Sequence, residues 1–330
     1  MTKYNYCTLF DSNYLTRGLA MYESLKKYSD KFHLYIFAFD NKSLVLLSKL
    51  NLDSVTIVSL KEFEDEKLLE IKESRSTGEY CWTCTPSIIK YSIETYNLNS
   101  CTYLDADLYF FNNPSILIKE MDNKSVLITE HRYTSQYDQS NSSGIYCVQF
   151  MTFKNDTNGM KALDWWQDSC NQWCYARHED GKFGDQKYLD DWIIRFQGIH
   201  VLENLGGGVA PWNVQQYDIN QDKNITFGIS RETKNKFNMI FYHFHNFKLL
   251  ENDKVELGTY KLDNNDIQYV YQPYIKHLQQ ITQNLKMVDN KNDYNGITNY
   301  KFYWKDPLRN FKRVLLGNYN IFSINKLIGD

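Results

Sequence analysis

Thr102-Tyr-Leu-Asp105-Ala-Asp107-Leu-Tyr-Phe-Phe111 is an apolar, β-rich run interrupted by two carboxylates one residue apart. Alternate side chains of a strand share a face, so Asp105 and Asp107 would point the same way, with Cα atoms about 6.6 Å apart. Two like charges in a stretch fit for burial are costly unless a cation or donors compensate them. Oxygen ligands suit a hard ion such as Mg2+ or Mn2+. The pair therefore predicts a metal site; the alternative is two acids that end a strand and face solvent.

The chain before this run alternates strands and helices. Strands are predicted at Tyr6–Phe10, Phe32–Phe39 and Val55–Val58, and helices at Leu15–Tyr28 and Asn41–Leu50. This alternation predicts an α/β fold with a mixed, mainly parallel sheet flanked by helices. Ligands of such sheets lie beyond the carboxyl ends of the strands, which is where Asp11 and the Asp105/Asp107 pair fall.

The helix that leads into the central run is predicted to begin at Thr85-Pro86, because proline in the first turn gives up no hydrogen bond. Lys90 lies on this helix, where it would either reach a phosphate or remain a solvated lysine. Further along, a helix from Lys187 to Phe196 follows Asp185, and this aspartate has two interpretations, a helix cap or a functional acid.

Met239-Ile-Phe-Tyr-His243-Phe-His245-Asn-Phe-Lys248 is predicted to be one strand whose alternation places both histidines on the same face. Paired histidines at this spacing are either core residues or a ligand set. The Leu205–Asn213 stretch contains three consecutive glycines and predicts a loop where backbone closely approaches a ligand.

Composition limits the class of protein. A chain of 330 residues with 42% hydrophobic residues can bury a sizeable core, and its net charge of -3 argues against a nucleic-acid partner. Seven cysteines, an odd number, fit free thiols in a reducing compartment. The start of the chain lacks the pattern of a secretory leader, and no apolar run approaches membrane-spanning length. We therefore expect a cytoplasmic protein.

The segment Lys301–Leu316 differs from the rest because basic residues are interleaved with aromatic and aliphatic ones. Such a segment predicts peripheral contact with an anionic membrane surface. The alternative is a helix that packs its apolar side on the catalytic domain and leaves its charges in water.

Several of these pieces occur in an order typical of one family, and the sequence resembles the GT-A fold glycosyltransferases, especially family eight. This family includes retaining galactosyltransferases of bacterial lipopolysaccharide synthesis and the glycogenins. Tyr103-Leu-Asp105-Ala106-Asp107 looks like the family's YLDxD motif, and Asp11-Ser-Asn-Tyr14 resembles its D-x-N-Y element. Ser143-Gly144-Ile145 resembles its N-A-G-V strand, although Ser142 stands where asparagine is usual.

Two further elements extend the resemblance over roughly residues 4–250. Asp185-Gln186 resembles the family's D-Q element. The run from His243 to Lys248 is like its H-x-x-G-x-x-K-P-W motif, but it is one residue shorter, has Asn246 in place of glycine and lacks Pro-Trp. This departure leaves the choice between His243 and His245 open.

The resemblance implies a metal-dependent, retaining glycosyltransferase that takes a sugar from a nucleotide-diphosphate donor, with uracil as the base. The acceptor would be a glycan or a lipid-linked molecule in cell-surface polysaccharide synthesis. Mn2+ or Mg2+ would be held by Asp105, Asp107 and His243, with His245 as the second choice for the histidine. Gln186 and Asp185 would flank the reacting sugar carbon. The donor-binding residues would be Thr8, Asp11, Tyr14, Lys90, Asp105, Ala106, Asp107 and Lys248.

The same resemblance implies a GT-A catalytic domain over 1–250, with a donor-binding half at about 1–115 and an acceptor-binding half at about 116–250. Residues 251–330 would form a mainly helical extension. A sugar nucleotidyltransferase is the competing class, but a Gly-rich signature with Arg and Lys is expected there after the first strand, where this chain has Asp11-Ser-Asn-Tyr14. A non-catalytic carbohydrate-binding protein of the same fold is the third class.

Overall fold

A computed structural model describes residues 3–29, 31–298 and 306–329. Its strands, in chain order, are β1 (Tyr4–Phe10), β2 (Phe32–Ala38), β3 (Val55–Ser59), β4 (Ser100–Leu104), β5 (Leu108–Phe110), β6 (Val126–Glu130), β7 (Tyr146–Lys154), β8 (Ile199–Val201), β9 (Tyr217–Asp222), β10 (Ile225–Ser230), β11 (Lys236–Asn238), β12 (Phe241–His243), β13 (Lys248–Leu250), β14 (Lys254–Glu256) and β15 (Ile321–Ser323). Its α-helices are α1 (Leu15–Tyr28), α2 (Asn41–Leu50), α3 (Leu60–Phe63), α4 (Glu66–Lys72), α5 (Thr77–Thr95), α6 (Ser115–Glu120), α7 (Ser140–Ser143), α8 (Thr157–Gln172), α9 (Trp192–Arg195), α10 (Asn264–Asp266), α11 (Gln272–Val288), α12 (Asp306–Leu315) and α13 (Ile324–Ile328).

The described residues form two compact units that are interleaved in sequence. Unit 1 draws on Met1–Asp11, Ser29–Ala106 and Asn113–Asn204. Unit 2 draws on Ser12–Tyr28, Asp107–Asn112 and Leu205–Asp330. The catalytic-domain boundary expected at residue 250 stays a prediction.

Unit 1 is built on a seven-stranded sheet in the order β3-β2-β1-β4-β7-β6-β8. Strands β3, β2, β1 and β4 run parallel, β7 is antiparallel to both of its neighbours, and β6 and β8 are parallel again. Helices α5 and α8 pack together and contribute apolar side chains to the same buried core as the sheet. The predicted α/β class, with a mixed and mainly parallel sheet, is confirmed.

The topology of unit 1 brings two carboxylates to one edge. β1 and β4 are parallel neighbours, so Asp11 and Asp105, which follow them, lie at the same end of the sheet. Asp40 also follows a strand of this sheet, but its side chain accepts the Ser43 amide at 2.6 Å and caps α2. Asp40 therefore serves the fold, whereas the other two are candidates for function.

Helix α5 begins earlier than predicted. Ser76 and Glu79 form a capping box, with the Glu79 carboxylate accepting the Ser76 amide at 2.8 Å, and Pro86 lies inside the helix. The prediction of a start at Thr85-Pro86 is wrong, because burial of a whole helix face outweighs the hydrogen bond that Pro86 cannot make. That buried face includes Tyr80, Cys84, Ile88, Ile89 and Ile93.

Unit 2 gathers separated parts of the chain. Strand β5 pairs antiparallel with β12, and α1 packs against β5 and α11. Two three-stranded sheets complete the unit, in the orders β11-β10-β9 and β13-β14-β15. Helix α1 therefore belongs to unit 2, although the strands on either side of it in sequence belong to unit 1.

Two predicted strands are each split by a turn. The chain leaves β4 at Leu104, turns through Asp105–Asp107 and enters β5, so the two acids do not lie on one continuous strand as predicted. The run from Met239 to Lys248 likewise divides into β12 and β13 around Asn246, which has a left-handed φ of 59°. Both turns occur where the chain passes from one sheet to another.

The predicted basic segment from 301 to 316 is described only in part. Residues 301–305 lie outside the described residues, and α12 covers most of the remainder. Within the described ranges, no helix combines the length and the apolar character needed to cross a membrane.

Candidate active site

Asp107 and His243 face each other across the β5–β12 pair. His243 is opposite Leu108 in the ladder, and its Nε2 lies 3.2 Å from Asp107 Oδ1. The backbone holds both positions, because the Phe244 amide donates to the Asp107 carbonyl at 3.0 Å and the His243 amide donates to Val209 at 2.9 Å. The contact between these side chains is thus fixed by sheet register.

Asp107 is held as an anion although it is largely buried. Burial opposes its ionisation, but the adjacent charge and hydrogen bond of His243, together with His245 and Arg17, outweigh that cost and hold the pKa of Asp107 below its usual range. The surroundings therefore favour the ionised form of Asp107, which is the form that binds a metal ion.

Asp105 lies two residues before Asp107 in the same turn, so covalent geometry keeps their carboxyl groups near each other. One ligand atom from each of Asp105, Asp107 and His243 lies within 4.8 Å of the other two. The Asp105 amide donates to Gln149 at 3.0 Å, and the Tyr103 hydroxyl donates to Asp105 Oδ1 at 2.8 Å. These bonds orient the first carboxylate of the group.

The donor set fits a divalent cation. Two carboxylate oxygens and one imidazole nitrogen would supply three ligands to such an ion, and water or phosphate oxygens would supply the others. The side chains that would hold Mn2+ or Mg2+ are thus the three in this group, Asp105, Asp107 and His243.

His245, the second choice for the ligand, is placed differently. Its ring lies outside the group, and its Nε2 is 2.9 Å from the Asn246 amide nitrogen. Burial and the nearby His243 charge lower the pKa of His245 to about 4, so it is neutral at pH 7. The rings of both histidines contact Trp212, each with centroids 5.3 Å apart. His245 and His243 therefore share a contact with Trp212, but only His243 belongs to the group with both acids.

In unit 1, Asp185 is buried, and its surroundings favour the neutral acid, whereas those of Asp107 favour the anion. Burial and the charge of Asp105 raise its pKa to about 8, although a hydrogen bond from Thr85 partly opposes the shift. The Trp166 indole donates to the Asp185 carbonyl at 2.9 Å and fixes this part of the loop. Gln186 occupies the cap position of the 3-10 turn Lys187–Asp191, so the helix-cap interpretation of Asp185 is wrong.

Gln186 is tied to the segment that resembles the N-A-G-V strand. Its Nε2 donates to the Ser143 carbonyl at 2.7 Å, which leaves the amide oxygen outside that bond. Gly144, which follows Ser143, has a φ of 108°, and a Cβ at this position would lie 3.1 Å from an Asp190 oxygen. Asp190 in turn accepts the Ile145 amide at 2.7 Å. Glycine at 144 thus allows the two loops to meet.

The N-terminal Asp11-Ser-Asn-Tyr14 element passes from unit 1 into unit 2. The Arg17 guanidinium lies 4.7 Å from the Tyr14 ring centroid and donates to the Asn295 carbonyl at 2.8 Å. Gly296 has a φ of 59°, and a Cβ there would lie 2.5 Å from the Asn13 carbonyl oxygen. Residues 294–296 therefore brace the start of α1.

The remaining predicted donor-binding residues have varied positions. Ala106 is buried within the turn between the two acids. Thr8 is fully buried in β1, and Lys90 lies 2.7 Å from the Asp164 carboxylate, which favours its alternative as a lysine at the surface. Lys248 is exposed at the start of β13, with Nζ 3.9 Å from Glu256. Contact of these side chains with a donor stays a prediction.

Two residues of the site escaped sequence reasoning. Arg17 lies in an amphipathic helix, where an arginine ordinarily faces water, yet it is buried beside Tyr14 and Phe247. Trp212 follows the three glycines of the Leu205–Asn213 loop, and only that loop prediction pointed toward it. The loop lies beside β12, since Val209 bridges to Tyr242, and this brings Trp212 to both histidines.

The chain is similar in sequence or in fold to several known proteins. No family model matches the chain. The uncharacterized protein YfnD of Bacillus subtilis (strain 168) is 29% identical over 287 residues, which are 84% of this chain and 89% of YfnD.

Two solved glycosyltransferase structures share the fold. The galactosyltransferase LgtC, in complex with donor and acceptor sugar analogs, gives a TM-score of 0.52 at 8% identity over 84% of this chain and 96% of LgtC. The WbbM bifunctional glycosyltransferase in its apo form gives a TM-score of 0.51 at 11% identity over 86% of this chain and 51% of WbbM. At these identities the similarity establishes architecture. The chain therefore has the GT-A fold and resembles, in that fold, the glycosyltransferases of family eight.

Proposed function

We propose that this protein is a metal-dependent glycosyltransferase that transfers a sugar from a UDP-sugar to a glycan or lipid-linked acceptor, with retention of the anomeric configuration. The observation that carries the proposal is the group formed by Asp105, Asp107 and His243 on a GT-A fold. The group follows β4, one of the strands whose carboxyl ends define the ligand-binding edge of a parallel sheet.

The proposed chemistry requires charge compensation at the leaving group. Breaking the bond between the sugar and the diphosphate develops negative charge on the diphosphate oxygens, and a divalent ion bound at this group would supply Lewis-acid stabilisation. The protein's part is to hold two carboxyl groups at the turn, and the lowered pKa of Asp107 supports that assignment for one of them. Lys248 is the proposed additional cation for the diphosphate.

Gln186 and Asp185 are the proposed residues at the reacting sugar carbon, which becomes oxocarbenium-like in the transition state. The Gln186 amide oxygen lies outside its bond to Ser143, so it is the atom proposed to face the developing positive charge. With a pKa of about 8, Asp185 is mostly protonated at pH 7, and it would donate a hydrogen bond to a sugar hydroxyl until a cation compensates Asp105. These roles differ from that of Asp107 because the charge states differ.

The Asp11–Tyr14 segment, which we call the donor turn, is proposed to hold the nucleoside. Tyr14 offers an aromatic ring whose orientation is set by Arg17, and Asp11 follows β1 at the same sheet edge as Asp105. The proposed cellular role is the synthesis of a polysaccharide that is displayed on the cell surface. The proposed location of the reaction is the cytoplasm, where nucleotide sugars serve as donors.

A thermal-shift screen tests the proposal. The full chain is heated with UDP-, GDP-, CMP- and dTDP-linked sugars, with and without Mn2+, because a ligand that binds the folded state raises its melting temperature. We expect a UDP-sugar to raise the melting temperature only when Mn2+ is present, and UDP to be released on longer incubation. Stabilisation by nucleotide sugars without any turnover would favour a non-catalytic binding protein. Incorporation of a nucleotide from UTP and a sugar phosphate would favour a nucleotidyltransferase.

A further inference from the structure

The buried guanidinium of Arg17 has hydrogen-bonding capacity that its contacts with the protein do not use. Its Nη1 donates to the Asn295 carbonyl at 2.8 Å and to the Asn13 carbonyl at 3.3 Å. Its Nε is buried and has no hydrogen-bond partner among the described residues, although a buried charged donor without a partner costs free energy. The bonds that brace the start of α1 thus account for only part of this side chain, which is 4% exposed.

Tyr274 carries a second unpartnered polar group in unit 2. Its side chain is fully buried on α11, and its hydroxyl has no hydrogen-bond partner within residues 3–29, 31–298 and 306–329. The neighbouring Tyr271 is satisfied, since its hydroxyl lies 3.1 Å from that of Tyr242. Two buried donors without partners in one unit point to a ligand that is rich in hydrogen-bond acceptors.

Both groups lie close to Asp107. The Phe244 amide donates to the Asp107 carbonyl at 3.0 Å, and the Phe244 ring stacks on the Tyr274 ring with centroids 3.8 Å apart. The Phe247 ring centroid is 5.3 Å from that of Tyr274 and 5.8 Å from the Arg17 guanidinium carbon. Electrostatics agree with this arrangement, because burial raises the pKa of Tyr274, Arg17 opposes the rise and Asp107 adds to it. Aromatic packing therefore holds a cation and a hydroxyl near one of the proposed metal ligands.

We propose that Arg17 and Tyr274 bind the diphosphate of the donor beside Asp107. This inference rests on the proposed function and adds two residues to it. A guanidinium presents planar N–H donors that match phosphate oxygens, and a phenol donates one further hydrogen bond. Asp107 offsets part of the charge of a divalent ion, so a fixed cation beside it would further compensate the negative charge of the diphosphate.

Lys248, the other proposed cation for the diphosphate, has different surroundings. Its side chain is 47% exposed, and its Nζ lies 3.9 Å from Glu256, which also pairs with Arg313 at 2.9 Å. Arg17 is instead fixed by carbonyl oxygens and aromatic rings, and it makes no ion pair with a carboxylate of the described residues. Arg17 would therefore lose less side-chain freedom than Lys248 on binding an anion.

Isothermal titration calorimetry of the full chain with inorganic pyrophosphate and Mg2+ tests this inference without depending on the nucleotide base or on sugar transfer. Arg17→Gln should weaken pyrophosphate binding about tenfold or more, as expected for the loss of a charged hydrogen-bond donor. Its Mn2+ affinity without any phosphate should not fall, because the variant removes a positive charge from beside Asp107. Equal falls in both affinities would show that Arg17 only supports the fold of the site, and would overturn the proposal.

Tyr274→Phe keeps the inference testable even if Arg17→Gln does not fold, because it removes only an unpartnered hydroxyl. It should weaken pyrophosphate binding about fivefold and leave the melting temperature without ligand unchanged or higher. Tyr271→Phe is the matched control: it removes a buried hydroxyl that is bonded to Tyr242, so its melting temperature should fall while its pyrophosphate affinity stays the same. Wild-type affinity in Tyr274→Phe, or an equal loss of affinity in Tyr271→Phe, would contradict the inference.

UDP with Mn2+, titrated into the same proteins, separates this inference from the proposed function. If the wild type binds pyrophosphate but not UDP, the proposed donor is wrong, while weaker pyrophosphate binding in the two variants still supports the diphosphate site. If the wild type binds UDP and both variants bind it equally well, the proposed donor stands and this inference is wrong. If the wild type binds neither probe, both are wrong.

Discussion

The turn at residues 105–107 and the loop at residues 184–186 each hold a buried carboxyl group, but in opposite charge states. Asp107 has imidazole and guanidinium neighbours that outweigh burial, and its pKa is lowered. Asp185 has no such compensation for its burial, and the Asp105 charge adds to the cost, so its pKa rises to about 8. In the protein without metal, one region therefore holds an anion and the other a mostly neutral acid at pH 7.

This difference gives a physical basis to the two roles that the family resemblance implies for these aspartates. Both aspartates occur in short acidic motifs, and neither motif states which acid is ionised. Pairs of titratable groups whose surroundings move their pKa values apart are a general sign of divided acid and base roles. Changing one carboxyl group to an amide in either region tests whether the two aspartates differ in charge state and role.

The largest expected effect is the loss of metal binding in Asp107→Asn. This variant removes an ionised ligand, so we expect its Mn2+ affinity to fall about 100-fold or more, and sugar transfer to be lost with it. Asp185→Asn replaces a mostly neutral acid by a neutral isostere and should keep Mn2+ affinity within a factor of about three, while turnover falls. Isothermal titration calorimetry with Mn2+ measures both. Equal affinity losses in the two variants would end the distinction between the regions.

The next effect concerns the two histidines beside the turn. His243→Ala should lower Mn2+ affinity about 10- to 100-fold, since its Nε2 belongs to the group with both acids. His245→Ala should cost about threefold or less, since its nitrogen is bonded to Asn246 and it lies outside the group with both acids. Competition for Mn2+ with a fluorescent chelator compares the two. A greater loss in His245→Ala would exchange their roles.

A third prediction concerns the loop. Gln186→Ala should lower turnover about tenfold or more and leave UDP affinity unchanged, because its proposed contact grows only in the transition state. Gln167→Ala is a suitable control: half-buried Gln167 also donates an amide hydrogen bond in unit 1, to Ser87 at 3.0 Å, but it lies on helix α8. Weaker UDP binding with normal turnover in Gln186→Ala would contradict the assignment.

The smallest effect is on stability without metal. Because the folded pKa of Asp185 lies above the unfolded value, its contribution to stability is complete below about pH 4 and is lost as pH rises through about 8. For Asp107 the folded pKa is lowered, so its contribution is present above the ordinary carboxyl pKa and is lost as pH falls through the folded value. Melting temperatures in chelator should therefore decline less toward pH 8 in Asp185→Asn, and less toward pH 3 in Asp107→Asn. Parallel profiles for both variants and wild type would refute these charge states.

Sequence reasoning predicted unit 1 well because most of its strands and helices pack against elements that are near them in sequence. The bounds of α2 agree with the predicted helix, and β2 differs from its prediction by one residue. Hydrophobic periodicity reports which face of an element is buried, and that information was enough for a sheet of neighbouring strands and helices.

Unit 2 was harder because its neighbours are far apart in sequence. The split between β4 and β5 depends on pairing with β12, more than 130 residues later, and local β propensity does not mark where a strand changes partner. The ligand set was nonetheless predicted from the family motif. The buried Arg17 was missed for the same reason that the split was missed, since its partners at 13 and 295 come from both ends of the unit.

The brace between the start of α1 and residues 294–296 also sets an order of events during synthesis. The hydrogen bonds from Thr16 and Arg17 to this segment join positions 278 residues apart. At about 5–20 residues per second, α1 waits roughly 14–56 s for its partners to emerge from the ribosome. The strands of unit 1 are all made by residue 201, so that sheet can form while the proposed donor turn still lacks its support. A growing chain therefore acquires its main core first and its means of holding a nucleotide last.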